Sequence, residues 1–461
     1  MRKKQISLLV SLAILVIFCL MPVPDGLTRP GIISIGLLLT GIVMWITEAI
    51  PLAISALLLM VLMPYLGVTT FPKVWTSFIS SVIFFVIAAF GLTVALMKTN
   101  IPLRITATLM KWSGTNARKL VLGFLVCTAL LSTIVTNTAN CALFMGLALA
   151  LLNANKAIRG KSNLGKCLMM GVPMASAVGG GVTPAGVSIN IMVMGMFNAH
   201  TGMNISFLDW VIMGLPMAII MVPVCWWCLV TAFKPEDISN EALQSVLKQA
   251  KDLGAMNMIE KKVLTIIGLM LIFWVSSSWI PIIDSTAVAI IGLVVMFLPG
   301  VDVLSFDELT KGVSWTVVLL IGGVQSLAAG ILSTGAATWM VQSVMSLVAG
   351  ASSMAIMGGA SALLAFLHVI IPVGPAIAGM TVIPFSDIAV LTGISPAAMA
   401  IMIAFWSAIT FVLPLDCVPL ITYGLGYYKM TDFVKAGWFP TIVLLAYTTV
   451  VLPAIAKILG Y

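Results

Sequence analysis

Ser132-Thr-Ile-Val-Thr136-Asn137-Thr138-Ala-Asn140 interrupts a hydrophobic stretch running from Leu120 to Leu152. Hydroxyl and amide side chains crowd into two or three turns of a segment otherwise apolar enough for a bilayer. Lipid cannot hydrogen-bond a broken backbone, so such a break persists only where it is buried in protein or lines a water-filled cavity. A single crossing needs about 20 apolar residues. The stretch 119–153 is too long for one and polar at its middle, so it reads as a re-entrant hairpin with this motif at its tip. The tip is a candidate binding site; the plainer alternative is that these side chains cap helices or join neighbouring spans.

The rest of the chain sets the context. Its 461 residues are 61% hydrophobic and 8% charged, with a mean hydropathy of +1.17. A soluble domain carries about 25% charged residues, so this is a polytopic membrane protein. The net charge of +8 does not imply nucleic acid, because the cations sit in loops between apolar spans. Two histidines and seven cysteines leave no metal-site spacing. Cys225-Trp-Trp-Cys228 fits C-x-x-C but lies in an apolar span without a soluble βαβ context, which argues against redox or metal use. The methionines are gap-filling core residues. Met1-Arg-Lys-Lys followed by Ile6 to Val23 has the first two parts of a signal peptide but no small-residue cleavage site, so an uncleaved helix is expected.

The expected fold is all-α: about eleven transmembrane helices plus two re-entrant hairpins in two inverted repeats. The spans fall at 5–23, 31–48, 51–67, 77–98, 168–199 (interrupted), 208–232, 262–279, 281–299, 314–334, 396–428 (interrupted) and 438–459. The hairpins are 119–153 and 352–392, and 101–114 and 335–350 are helices along the membrane surface. With the N-terminus inside the cytoplasmic membrane, 20 of the 23 Lys and Arg fall on the cytoplasmic side, as the positive-inside rule requires. The charged linker 233–261 divides the chain, giving an N-terminal helix 1–29, a first repeat 30–232 and a second repeat 262–461. Asp209-Trp-Val-Ile-Met-Gly214-Leu-Pro216 and Asp432-Phe-Val-Lys-Ala-Gly437-Trp-Phe-Pro440 open the last span of each half. Inverted repeats with paired broken helices point to a secondary transporter with its site near the midplane.

Four constellations are candidates for chemistry. At the first hairpin tip, helix N-termini suit an anion, and unwound carbonyls with Ser132, Thr136 and Asn137 suit a hard cation such as sodium. In the fifth span, Gly179-Gly180-Gly181-Val-Thr183-Pro184-Ala-Gly186-Val-Ser188-Ile-Asn190 cannot continue a helix, and it exposes backbone beside Thr183, Ser188 and Asn190 or simply kinks. The second hairpin tip, Pro372-Val373-Gly374-Pro375, offers backbone groups, with His368 about one turn before it as either a structural or a functional residue. Asp416, in Leu413-Pro414-Leu415-Asp416-Cys417-Val418-Pro419, is an intramembrane carboxylate, a functional candidate by default, with helix capping as the alternative. Asp387 is expected to be solvated or capping near the outer end of its span, and Glu48 to cap or face the interface.

Together these residues resemble the divalent anion/sodium symporter family, whose members carry di- and tricarboxylates or sulfate. The match runs from about residue 30 to the C-terminus. Trp45-Ile-Thr-Glu48-Ala-Ile-Pro51 is similar to the family's Trp-x-Thr-Glu-Ala-Ile-Pro stretch. Thr136-Asn137-Thr138 resembles its first Ser-Asn-Thr motif, and Thr183-Pro184-Ala-Gly186-Val-Ser188-Ile-Asn190 its first Pro-rich break. The resemblance implies sodium near Ser132, Thr136, Asn137 and Gly186, and substrate at Asn137 and Thr138. The second Ser-Asn-Thr is missing, with Pro372, Val373 and Gly374 in its place, and Asp416 and Cys417 stand in the second break. Substrate contacts are therefore expected at Asn137, Thr138, Thr183, Ser188, Pro372, Val373, Gly374 and Cys417. Asp416 is expected to serve a second cation or a proton, in the latter case together with His368. The resemblance further implies a homodimer with an elevator motion, and no cofactor beyond coupling sodium ions. The expected function is sodium-coupled symport of small di- or tricarboxylates. A sodium-independent or proton-coupled exchanger and a sulfate transporter are the alternatives. A channel is disfavoured because the tips carry no ring of like charges. A membrane enzyme would need a nucleophile–base pair or a metal cluster, which the sequence does not offer.

Overall fold

The computed structural model describes residues 2–280, 282–348, 350–371 and 373–461. Pro372, expected at the second hairpin tip, lies outside them. Among the described residues the secondary structure is helical throughout, without strands.

After α1 (Arg2–Leu20), the first half runs α2 (Arg29–Thr47), α3 (Leu52–Tyr65), α4 (Phe71–Phe78), α5 (Ser81–Met97), α6 (Ile101–Ser113), α7 (Ala117–Ser132), α8 (Asn137–Ala154), α9 (Asn163–Gly180), α10 (Ser188–Thr201) and α11 (Phe207–Phe233). A linker helix follows, α12 (Asn240–Asp252). The second half runs α13 (Met258–Ser276), α14 (Ser285–Val295), α15 (Phe306–Gly312), α16 (Trp315–Ser333), α17 (Ala336–Val348), α18 (Ser353–Ile370), α19 (Gly374–Thr392), α20 (Pro396–Ala408) and α21 (Cys417–Tyr423). It ends in α22 (Met430–Ala446), a π-helical segment (Tyr447–Val451) and α23 (Leu452–Ile458).

Among the described residues, eight helices are long and apolar enough to cross a membrane by length and composition. Two others stop at irregular segments. The glycine-rich break follows α9 at Gly180, and the irregular segment 409–416 follows α20 at Ala408. The short helices α4, α12 and α15 were not anticipated, because runs of seven to thirteen residues with mixed polarity carry little periodic signal.

Packing between the halves is reciprocal. Helix α3 of the first half lies on α16 of the second, and α14 of the second lies on α5 of the first. Likewise α10 packs on α19 and α20, while α21 packs on α8 and α9. The linker does more than divide the chain. Asp237 accepts the Ala117 N–H at 2.9 Å, and Glu236 accepts those of Asn163 and Leu164 at 3.0 and 2.9 Å. Both carboxylates thus sit at helix N-termini, where the exposed N–H groups and the helix dipole favour negative charge. A buried ion pair fixes α6 to the start of α13: Arg104 is 3.2 Å from Glu260, whose side chain is 0% exposed. Burial alone raises the Glu260 carboxyl. The Arg104 guanidinium and the N–H groups of Asn257 and Asn100 outweigh that and hold it below the usual carboxylate range.

Candidate functional site

The turn 133–136 joins α7 to α8, and the break 181–187 joins α9 to α10. The two meet through bare backbone. A Cβ on Gly179 would fall 2.1 Å from Ala129 O, and one on Gly186 2.5 Å from Gly180 O and 2.8 Å from Ser132 O. A Cβ on Gly180 would come within 1.8 Å of Asn137 Oδ1. Only glycine permits this approach, which is the physical reason for the cluster of glycines in the sequence.

What converges there is oxygen. The Ser132 hydroxyl donates to Ser176 O at 2.7 Å and lies 3.1 Å from Asn137 Oδ1. The same amide position of Asn137 lies 3.1 Å from Ser176 O and 3.3 Å from Gly186 O. An oxygen among these carbonyls needs something positive between them. The amide turned end for end supplies it with its NH2 group, and a cation would supply it equally well. The last turns of α7 and α9 bring the Ser132 and Gly180 carbonyls against Gly186, and the C-terminal end of a helix has the polarity a cation favours.

Anion-binding polarity lies beside it. Asn116, Ser162, Ser352 and Ser395 cap α7, α9, α18 and α20 with their side chains. By contrast α8, α10 and α19 follow Thr136, Val187 and Val373 with no side-chain cap, leaving N–H groups free for a ligand. These starts are neighbours: Asn137 opens α8 beside Gly186, and a Cβ on Gly374 would lie 2.6 Å from Ile189 Cδ1 of α10.

Asn190 is a strut for the break, its amide donating to Gly180 O and Thr183 O, each at 2.8 Å. Trp210 Nε1 of α11 donates to Gly181 O at 3.1 Å. The structure brings Ser132, Asn137 and Gly186 together and sets the Ser176 and Gly180 carbonyls beside them. Sequence reasoning passed over these two because backbone oxygens carry no residue signature. Thr136 is held from α5, its N–H donating to Thr93 Oγ1 at 3.3 Å. The Thr183 hydroxyl is already engaged, donating to Thr133 O and accepting the Gly186 N–H. Ser188 opens α10 half-buried, and Thr138 is exposed against Cys417. Val373 is buried, and Gly374 lies against Ser407 O.

Asp416 caps α21 by accepting the Val418 N–H at 3.3 Å. With that N–H engaged, α21 does not present a bare N-terminus to an anion. His368 is buried, with Nδ1 2.6 Å from Trp406 O and Nε2 3.9 Å from Asp416 Oδ1. Asp387 is not merely solvated: it pairs with His200 of α10 at 2.6 Å, a partner that lies 187 residues away and was invisible locally. Glu48 is the exposed left-handed cap of α2, with φ 45°.

Helices broken in pairs inside apolar spans are the architecture of a membrane transporter. The chain matches the family described as the sodium:sulfate symporter transmembrane region over residues 2–460, and it belongs to that family. It is 26% identical to the sodium-dependent dicarboxylate transporter SdcS of Staphylococcus saprophyticus, with 95% of this chain and 88% of that protein covered. It is 27% identical to the protein of the same name from Staphylococcus aureus, with 91% and 85% covered. Among solved structures, the Alcanivorax borkumensis YdaH transporter matches with a TM-score of 0.55 at 13% identity, covering 80% of this chain and 84% of that one, a likeness of fold alone.

Proposed function

We propose that this protein carries small di- or tricarboxylate anions across the cytoplasmic membrane by symport with sodium. The carrying observation is the oxygen cluster of Ser132, Asn137, Ser176 and Gly186 beside three uncapped helix starts. Sodium takes the amide-and-carbonyl cage at the ends of α7 and α9. A carboxylate of the substrate takes the N–H groups of α8 and α10, with Asn137, Thr138 and Ser188 at hand, and the second carboxylate faces Val373, Gly374 and Cys417. A cation and a carboxylate about 5 Å apart attract by about 3 kcal/mol at an effective dielectric of 20. That is roughly a hundredfold in mutual affinity, and it makes the two ligands bind together.

The names of the staphylococcal relatives support dicarboxylate and sodium; the family description keeps sulfate as the competing substrate. The reciprocal packing of the halves supports two inverted repeats, 30–232 and 262–461, with 119–153 and 352–392 as re-entrant hairpins. The distribution of Lys and Arg supports a cytoplasmic N-terminus with helix 1–29 ahead of the first repeat and 233–261 as an internal linker. In this reading the hairpins and broken helices move as an elevator within a homodimer. The decisive assay is uptake of labelled succinate into proteoliposomes under an inward sodium gradient, with sulfate and citrate as competitors. Full-rate counterflow in the absence of sodium would instead make the protein an exchanger.

A further inference from the structure

The second half holds no oxygen cluster equivalent to that around Asn137. The corresponding place is filled by His368. Ser132 and His368 each lie in the last turn of the first leg of a hairpin. Each is bonded to a carbonyl near the end of the helix that leads into a break, Ser132 to Ser176 O and His368 to Trp406 O. A carbonyl only accepts, so Nδ1 of His368 carries a hydrogen and, in the neutral ring, Nε2 carries a lone pair. Nε2 is buried without a hydrogen-bond partner and faces Asp416 Oδ1 at 3.9 Å, with side chains 2% and 12% exposed. That distance is too long for a hydrogen bond.

We infer that His368 and Asp416 form a proton-binding site, and that one proton travels with each anion. The inference rests on the anion-transport reading above. A proton taken from water forms an N–H bond at Nε2 and makes the ring an imidazolium. Its new N–H points at the carboxylate, and closing by about 1 Å makes a charge-assisted hydrogen bond of roughly 2.7–2.9 Å. The proton leaves from the same nitrogen on the other side of the membrane, and no other bond changes. The cation also sits at the C-terminal ends of α18 and α20, where the helix dipoles favour it. The protonated ring gives Asp416 a countercharge, which an intramembrane carboxylate needs if it is to be carried across.

Neighbouring ionisable groups do not substitute for it. On α21 the nearest is Cys417, with Sγ 3.7 Å from Asp416 Oδ2, and on α8 it is Cys141, which donates to Val418 O. Tyr423 packs on Tyr428, and Tyr447 donates to Met213 O. α20 has no ionisable residue; Asp387 of α19 pairs with His200, and Asp432 of α22 with Lys166, while Lys435 donates to Ala232 O. Among the described residues His368 is the one basic group within ion-pairing distance of Asp416.

The test uses the full chain in proteoliposomes, with sodium equal on both sides, the membrane potential clamped, and labelled fumarate, whose carboxyls stay ionised across the assay range. An inward gradient of one pH unit should raise steady-state accumulation up to about tenfold, the factor set by one proton per anion. A pH dye inside the vesicles should report one proton per fumarate. His368→Gln and Asp416→Asn should each bring the proton-to-anion ratio to background, whatever their turnover. Sodium-driven uptake without proton movement in the wild type, or either variant keeping the wild-type ratio, overturns this inference and leaves the sodium reading standing. Proton-driven accumulation without a sodium response does the reverse, and no fumarate transport under either gradient sinks both.

Discussion

Replacing Gly180 by alanine should damage cation binding more than folding. The new Cβ would stand 1.8 Å from Asn137 Oδ1, whereas real Cβ contacts essentially never fall below 3.0 Å. The amide must therefore retreat by at least about 1.2 Å, the difference of those distances. A misplacement of about 1 Å in a positioned group costs on the order of a hundredfold, about 2.7 kcal/mol. The half-saturating sodium concentration for succinate uptake should rise by roughly that factor. Gly146→Ala is the control: it lies in α8, nothing lies within 4 Å of its would-be Cβ, and the change should leave sodium dependence alone. The measurement is initial uptake against sodium at saturating succinate, alongside a thermal midpoint in detergent. If Gly180→Ala folds and keeps the wild-type half-saturating sodium, the cage around Asn137 is not the sodium site.

Three further outcomes follow from the packing. Asn190→Ala removes two buried hydrogen bonds from Gly180 O and Thr183 O, so it should cost about 2 kcal/mol or more in stability and raise half-saturating sodium at least tenfold, read by the same two assays. Arg104→Met strands the buried Glu260 carboxylate and should cost about 3–5 kcal/mol near neutral pH. Because that carboxyl titrates below 4.5 in the folded protein, the pair's contribution is complete above this value and fades as pH falls through the depressed one, so thermal midpoints of the variant and the wild type should converge in acid. Lys98 holds the Glu308 carboxyl down to about 2, so wild-type stability should decline between about pH 4.5 and about pH 2, and Lys98→Met should flatten that decline. The pair is more than a third exposed on the Glu308 side, so the effect should stay under about 1 kcal/mol and shrink in salt.

Much of the site was legible because lipid makes local rules strict. The polar tip at Ser132–Asn140 and the glycine break at 179–186 announce themselves as places where a membrane helix cannot continue. The starts of α8 at Asn137 and α19 at Gly374 fall where the hairpin tips were read. What escaped was everything decided by distance in space. His200 finds Asp387, Arg104 finds Glu260, and Trp210 reaches the Gly181 carbonyl, yet none of these pairs shares a local pattern. The linker was read as a divider, but Glu236 and Asp237 cap α9 and α7. Nor does any local pattern show that the Thr183 hydroxyl ties the turn to the break, donating to Thr133 O and accepting the Gly186 N–H.

The cage of Ser132, Asn137, Ser176, Gly180 and Gly186 is built wholly from uncharged groups. Whatever crosses with it therefore sets the electrical balance by itself. A dianion with one monovalent cation leaves a deficit of one elementary charge, and a membrane potential acts on that with about 2.3 kcal/mol per 100 mV. A second cation cancels the deficit, and a third turns the potential from a brake into a drive. The current carried per turnover, recorded under voltage clamp, is thus a direct count of the cations that accompany each anion.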